Sequence, residues 1–102
     1  MLHREVCETM SDVFKALAHP VRREVLRMLR DGPSSAGVLA DRFPVSKPTM
    51  SGHFSTLREA GLIVAERHGT TILYRLNASV ADEAIAWLLD LAGKRPAENE
   101  DL

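Results

Sequence analysis

The sequence predicts a mainly α-helical single domain with one small β-hairpin, in the order α-α-α-α-β-β-α. Three observations carry that prediction. Five segments repeat their apolar residues every three or four positions, the period of a helix with a buried face. Two runs rich in β-branched residues, "LIVAER" and "TTILYRL", flank His68-Gly69, the pattern of two strands and a tight turn. The chain has 102 residues, enough for one domain with a modest core. The domain is expected over residues 1–95, and 96–102 is read as an acidic flexible tail.

The first helix is expected from about Thr9 to Ala18, with Met10, Val13 and Leu17 on one face and Phe14 beside them; Val6 continues the stripe upstream. "AHP" interrupts it, because the residue before a proline is pushed out of helical geometry. Pro20 suits the first turn of a second helix. That helix, "PVRREVLRML", sets Val21, Val25 and Leu29 with Leu26 and Met28 on a core face, and Gly32 ends it. Arg22, Arg23, Arg27 and Arg30 occupy its other side. After the turn "GPSS" a short third helix, "AGVLADRF", offers Val38, Leu39 and Phe43, with Ser34 or Ser35 as N-cap. "PVS" then connects to the fourth helix.

The fourth helix, "SKPTMSGHFSTLREAGL", is capped by Ser46 and stopped by Gly61. At 100° per residue, Phe54, Leu57 and Gly61 lie within about 40° of Met50, which marks the buried face. Pro48, Gly52 and Ser55 point away, flanked by Thr49, Ser51 and Thr56. Nearly all of these are poor helix formers, and glycine alone costs about 1 kcal/mol relative to alanine. A slim, hydroxyl-rich face with free first-turn amides suits close approach to base edges and phosphates. Lys47 and Arg58 can neutralise phosphate. His53 lies about 60° from the buried centre, divided between a groove contact and a cap on the core beside Phe54. The third and fourth helices then form a helix-turn-helix. The hairpin behind them makes a wing with Arg67, His68 and Gly69 at its tip.

The terminal helix, from about Ser79 to Ala92, carries two apolar stripes. One is Ala81, Ile85, Leu88 and Ala92; the other is Val80, Ala84, Trp87 and Leu91. A surface helix of a monomer needs one stripe. Two imply two partners, and the stripe with Trp87 is assigned to a second subunit.

Charge is uninformative as a sum, at −1, and more useful by segment. From Arg42 to Arg75, five basic residues (Arg42, Lys47, Arg58, Arg67, Arg75) face two acidic ones, Glu59 and Glu66. No run approaches the ~18 apolar residues of a membrane span, and the N-terminus lacks the apolar core of a signal peptide. The single cysteine, Cys7, excludes an intrachain disulfide and fits a reducing cytoplasm. Nothing points to an enzyme: there is no glycine-rich phosphate loop after a strand, no paired carboxylates, and no serine with an evident base.

The pieces "ALAHPVRREVLRML" and "VLADRFPVSKPTMSGHFSTLREAGLIVAERHGTTILYRL", at their spacing, resemble the ArsR/SmtB family of winged-helix repressors over roughly residues 10–77. "SKPTMSGHF" is similar to its sporulation-delay autorepressor branch. The resemblance implies a homodimer joined through its first and last helices (here Met10, Val13, Phe14 and Leu17 with Val80, Ala84, Trp87 and Leu91). It also implies binding to a palindromic double-stranded DNA operator and repression of the chain's own operon, with a protein antirepressor as a further partner. The family's recognition positions correspond to Ser46, Lys47, Thr49, Ser51 and His53, and its wing positions to Arg67, His68 and Gly69. To these the helical projection adds Gly52, Ser55 and Arg58. Many relatives have two adjacent histidines where this chain has Gly52-His53, so its operator sequence is its own.

The metal sites of the family's sensors are missing. The third-helix region reads "SSAGVLAD" without Cys-x-Cys, and the last helix has Asp82, Glu83 and Asp90 but no histidine or cysteine. No cofactor or metal is expected. His3 and Cys7, four residues apart, are the leftover candidates for a metal- or redox-responsive variant of the reading, and Cys7 could also cross-link a dimer. The remaining alternative is a winged-helix module that binds protein instead of DNA.

Overall fold

The structure, a computed structural model, describes residues 2–94, with side chains described from Met10 onward. His3 and Cys7 as side chains, and the acidic tail, lie outside the described residues. Helix α1 (Leu2–Leu17) begins well upstream of Thr9. It ends at Ala18-His19, before Pro20. His19 has extended backbone angles (φ −123°, ψ 131°), and its Nδ1 accepts the Val21 amide at 3.1 Å. His19 is therefore the N-cap of α2 (Pro20–Leu29), a role the sequence reading did not give it.

One element was not expected. Ser34–Ser35 forms a short strand, β1, antiparallel to the second strand of the hairpin, with Ser34 opposite Tyr74 and Ser35 opposite Leu73. The sheet thus has three strands among the described residues, not two. Two serines carry neither alternation nor β-branching, so the pairing is set by the open edge they lie beside. Ser35 also caps α3 (Ala36–Ala40), its hydroxyl accepting the Val38 amide at 3.2 Å. This helix is shorter than "AGVLADRF". Arg42 and Phe43 bond back three residues, to Leu39 and Ala40, and the connection runs through Ser46.

Helix α4 (Lys47–Glu59) follows, and its end is well defined. The Leu62 amide bonds to the Leu57 carbonyl at 3.0 Å, and the Gly61 amide to the Arg58 carbonyl at 2.9 Å, with Gly61 at φ +80°. This is a Schellman stop, and Leu57 and Leu62 are both buried as that motif favours. The chain enters β2 (Ile63–His68) directly, turns at Gly69-Thr70, and returns as β3 (Thr71–Leu76). His68 pairs with Thr71. Gly69 has φ +65° and Thr70 does not have a positive φ, the pattern of a two-residue type II′ hairpin. Tyr74 on β3 packs its ring on Phe54 of α4, with centroids 4.8 Å apart.

The core gathers Val13, Ala16, Val25, Leu39, Met50, Phe54, Leu57, Leu62 and Tyr74 around α4. Met10 and Val13, expected at a subunit interface, are 3% and 0% exposed and belong to this core. Helix α5 (Ala78–Leu91) corrects a second expectation. Ala84 is buried, Val80 packs on the core, and Trp87 lies against Phe14 with ring centroids 5.7 Å apart. Of the stripe assigned to a second subunit, Val80 and Ala84 face their own domain, whereas Trp87 and Leu91 remain exposed, at 38% and 69%. Ile85 and Leu88 of the other stripe are uncovered as well, at 54% and 49% exposure. Both stripes have the same spacing, so periodicity could not say which one turns inward.

Candidate nucleic-acid interface

The N-terminal half of α4 is built to be seen from outside. The Ser46 hydroxyl accepts the Thr49 amide at 3.3 Å and donates to Thr49 Oγ1 at 2.9 Å. Ser46 is thus occupied by capping, and the Thr49 hydroxyl keeps its own proton to donate outward. Lys47, Thr49, Ser51, Gly52 and Ser55 are all exposed, with Arg58 exposed one turn further along. The Thr56 hydroxyl donates to the Gly52 carbonyl at 3.0 Å, which removes it from the available donors.

Gly52 is the informative member of this face. It sits inside a helix, where glycine is costly. A Cβ built there would meet nothing within 4 Å. No packing inside the described chain calls for a glycine at this position. The bare backbone leaves the helix open to close approach from outside.

The wing carries charge on both faces. By strand alternation Arg67 shares a face with Ile63 and Ala65, whereas Glu66 and His68 lie on the other. Glu66 meets both basic side chains of its side, His68 Nε2 at 3.1 Å and the Arg75 guanidinium at 3.6 Å. Among the described residues Lys47, Arg58 and Arg67 have no acidic partner. Gly69 supplies the turn, not a side chain.

His53 does not join this surface. It is 8% exposed and faces the corner where α1 meets α2. Arg22 Nη1 donates to His53 Nδ1 at 3.1 Å. The same guanidinium donates from Nε to the Ala16 carbonyl at 2.7 Å and from Nη2 to the Lys15 carbonyl at 3.1 Å. Because guanidinium only donates, His53 Nδ1 must accept, which fixes a neutral ring protonated on Nε2. Burial chiefly, with the adjoining His19 and Arg22 charges, holds its pKa below the ordinary value of 6.5. The expectation of a groove contact at His53 is corrected: at 60° from the buried centre the core side prevails. Arg22, on the side of α2 away from the core stripe, holds two carbonyls and a histidine. No motif joins Arg22 to His53 across thirty-one residues, so the sequence reading missed the pair.

Comparison with known proteins settles what this architecture is. A family described as a helix-turn-helix domain matches residues 17–66. The transcriptional repressor SdpR of Bacillus subtilis is 40% identical over 83% of this chain and 94% of its own length. A solved ArsR family transcriptional regulator superposes with a TM-score of 0.80 at 29% identity, covering 84% of this chain and 89% of that one. The chain belongs to the ArsR/SmtB family.

The repressor SmtB of Mycobacterium tuberculosis is 36% identical over 72% of this chain, which spans only 54% of that longer relative. A solution structure from Mycobacterium bovis, titled as a homodimeric winged helix-turn-helix DNA-binding domain, has a TM-score of 0.72 at 27% identity over 86% of this chain and 83% of that one. This ArsR/SmtB chain is accordingly a winged-helix DNA-binding transcriptional regulator and not an enzyme. No described helix is long and apolar enough to cross a membrane. Among the described residues, no group of three His, Cys, Asp or Glu could hold a metal ion.

Proposed function

We propose that the chain is a cytoplasmic homodimeric repressor that binds a palindromic operator in front of its own gene. Each subunit lays α4 in the major groove, and the two half-site centres lie about one helical turn apart. Lys47 and Arg58 meet phosphates. Thr49, Ser51 and Ser55 offer hydroxyls to base edges, the bare Gly52 lets the backbone come close, and the wing sets Arg67 and His68 against the adjoining backbone. Gly52 carries this reading, as a helical glycine with open space beyond it and no use inside the described fold. The dimer closes over Ile85, Leu88 and Leu91, with Phe14 and Trp87 at the edge. Repression is supported by the likeness to the SdpR repressor, and dimerisation by the M. bovis domain.

Fluorescence anisotropy on DNA from upstream of the gene, against scrambled competitor and across a salt series, tests it. Competitor-resistant binding with a steep salt slope is the expected result. Weak binding that is equal on both DNAs would overturn self-regulation.

A further inference from the structure

Three elements meet at one small cluster of nitrogen groups: the end of α1, the start of α2 and the inward side of α4. Arg22 from α2 donates to two carbonyls at the C-terminal end of α1, those of Ala16 and of Lys15, the second of which also accepts the Ala18 amide at 3.2 Å. Its remaining amino group reaches across to His53, the one polar side chain buried among the described residues. The His53 ring lies 4.4 Å from that of His19, whose Nδ1 is already used by the Val21 amide. One guanidinium therefore ties the end of α1 to the inward side of α4, through a single acceptor nitrogen on His53.

We propose that Arg22 and His53 are positioning residues for DNA reading, and that protonation of His53 releases α4 and weakens DNA binding. The chemistry is a matter of lone pairs. A protonated His53 has donors on both nitrogens and no acceptor for Arg22. It would also stand as a cation beside the Arg22 guanidinium and the His19 ring. Among the described residues no carboxylate pairs with Arg22. The other charged groups described on the packed elements are Asp12 and Lys15 of α1, Arg23, Glu24 and Arg27 of α2, the last two paired with each other at 3.7 Å, and Lys47, Arg58 and Glu59 of α4. Asp12, Lys15 and Glu59 line a separate groove with Thr56, and Arg23 is held on the Leu17 carbonyl. The face of α4 opposite His53 is the exposed one proposed to read DNA, so a shift at the junction is transmitted to it directly.

This inference rests on the DNA-binding reading, and its test separates the two. Anisotropy is measured on the upstream duplex and on a non-specific duplex at low salt, from pH 5.5 to 7.5. His68→Gln is the background, so that no wing histidine contributes to the profile. Affinity should fall by about tenfold on acidification, the effect of one unit of coupled pKa shift. His53→Asn, which keeps an acceptor oxygen near the Nδ1 position but takes no proton, should bind as tightly at pH 7.5 and show a flat profile. Arg22→Gln should bind weakly at every pH. Hydrogen exchange of α4 amides, read without DNA, should show protection lost on acidification in the parent and kept in His53→Asn. If parent and His53→Asn share one pH profile and one exchange pattern, the coupling is overturned. If the upstream duplex is not preferred yet α4 loosens only in the parent, self-regulation fails while the coupling stands.

Discussion

Helices α4 and α5 both break the rules for a surface helix, in opposite directions. In α4 the outward face is filled with serine, threonine and glycine, so the helix gives up propensity it could have had. In α5 the outward face keeps Ile85, Leu88 and Leu91, so it exposes apolar area that a lone domain would cover. A helix weakened toward small polar residues suits a hydrated, charged partner that must come close to the backbone. A helix with surplus apolar surface suits another protein. The kind of deviation points to the kind of partner.

The comparison breaks most visibly at α5. Replacing Ile85 and Leu88 together by Asp should give monomers by sedimentation equilibrium. It should lower operator affinity by about a hundredfold or more, because two linked half-sites become independent. A dimer that survives both changes would move the interface elsewhere. Next in size, Lys47→Ala should weaken DNA binding by about tenfold and flatten the plot of log affinity against log salt by about one unit. An unchanged slope would take Lys47 off the phosphate backbone.

Gly52→Ala sharpens the contrast because its two effects have opposite signs. Folding stability should rise by about 0.5–1 kcal/mol in a denaturant titration, while specific affinity falls several-fold. A variant that is both more stable and equally tight would deprive the exposed glycine of its proposed purpose. The smallest effect is on acid stability. His53 has its folded pKa below the unfolded value of 6.5, so the unfolded state binds the extra proton more readily. Its contribution is complete above 6.5 and is lost as pH falls through the folded value. His53→Asn should lessen the decline in denaturation midpoint over that interval.

Much of this could be read in the residues. The buried line Met50, Phe54 and Leu57, the Ser46 cap and the Gly61 stop follow from periodicity and capping chemistry, and all five are observed in those roles. Three things escaped. Strand β1 has no sequence signal, since its two serines pair only because an edge of β3 is available to them. The stripe of α5 assigned to a second subunit divides, with Val80 and Ala84 inward and Trp87 and Leu91 exposed, as two stripes of equal spacing differ only in what they meet. The junction of His19, Arg22 and His53 lies across three elements, and no local pattern holds information about contacts that distant.

The Schellman stop at Gly61 has a mechanical consequence. The amide that ends α4 belongs to Leu62, whose carbonyl in turn accepts the Asn77 amide at 2.9 Å and closes the base of the hairpin. No slack residue separates the helix from the wing, so the two move as one rigid calliper with a fixed jaw width. On DNA bound as proposed, such a tool would measure the span from groove floor to flanking backbone and would not adapt to it. One residue inserted after Gly61 would leave each jaw intact and spoil the gauge.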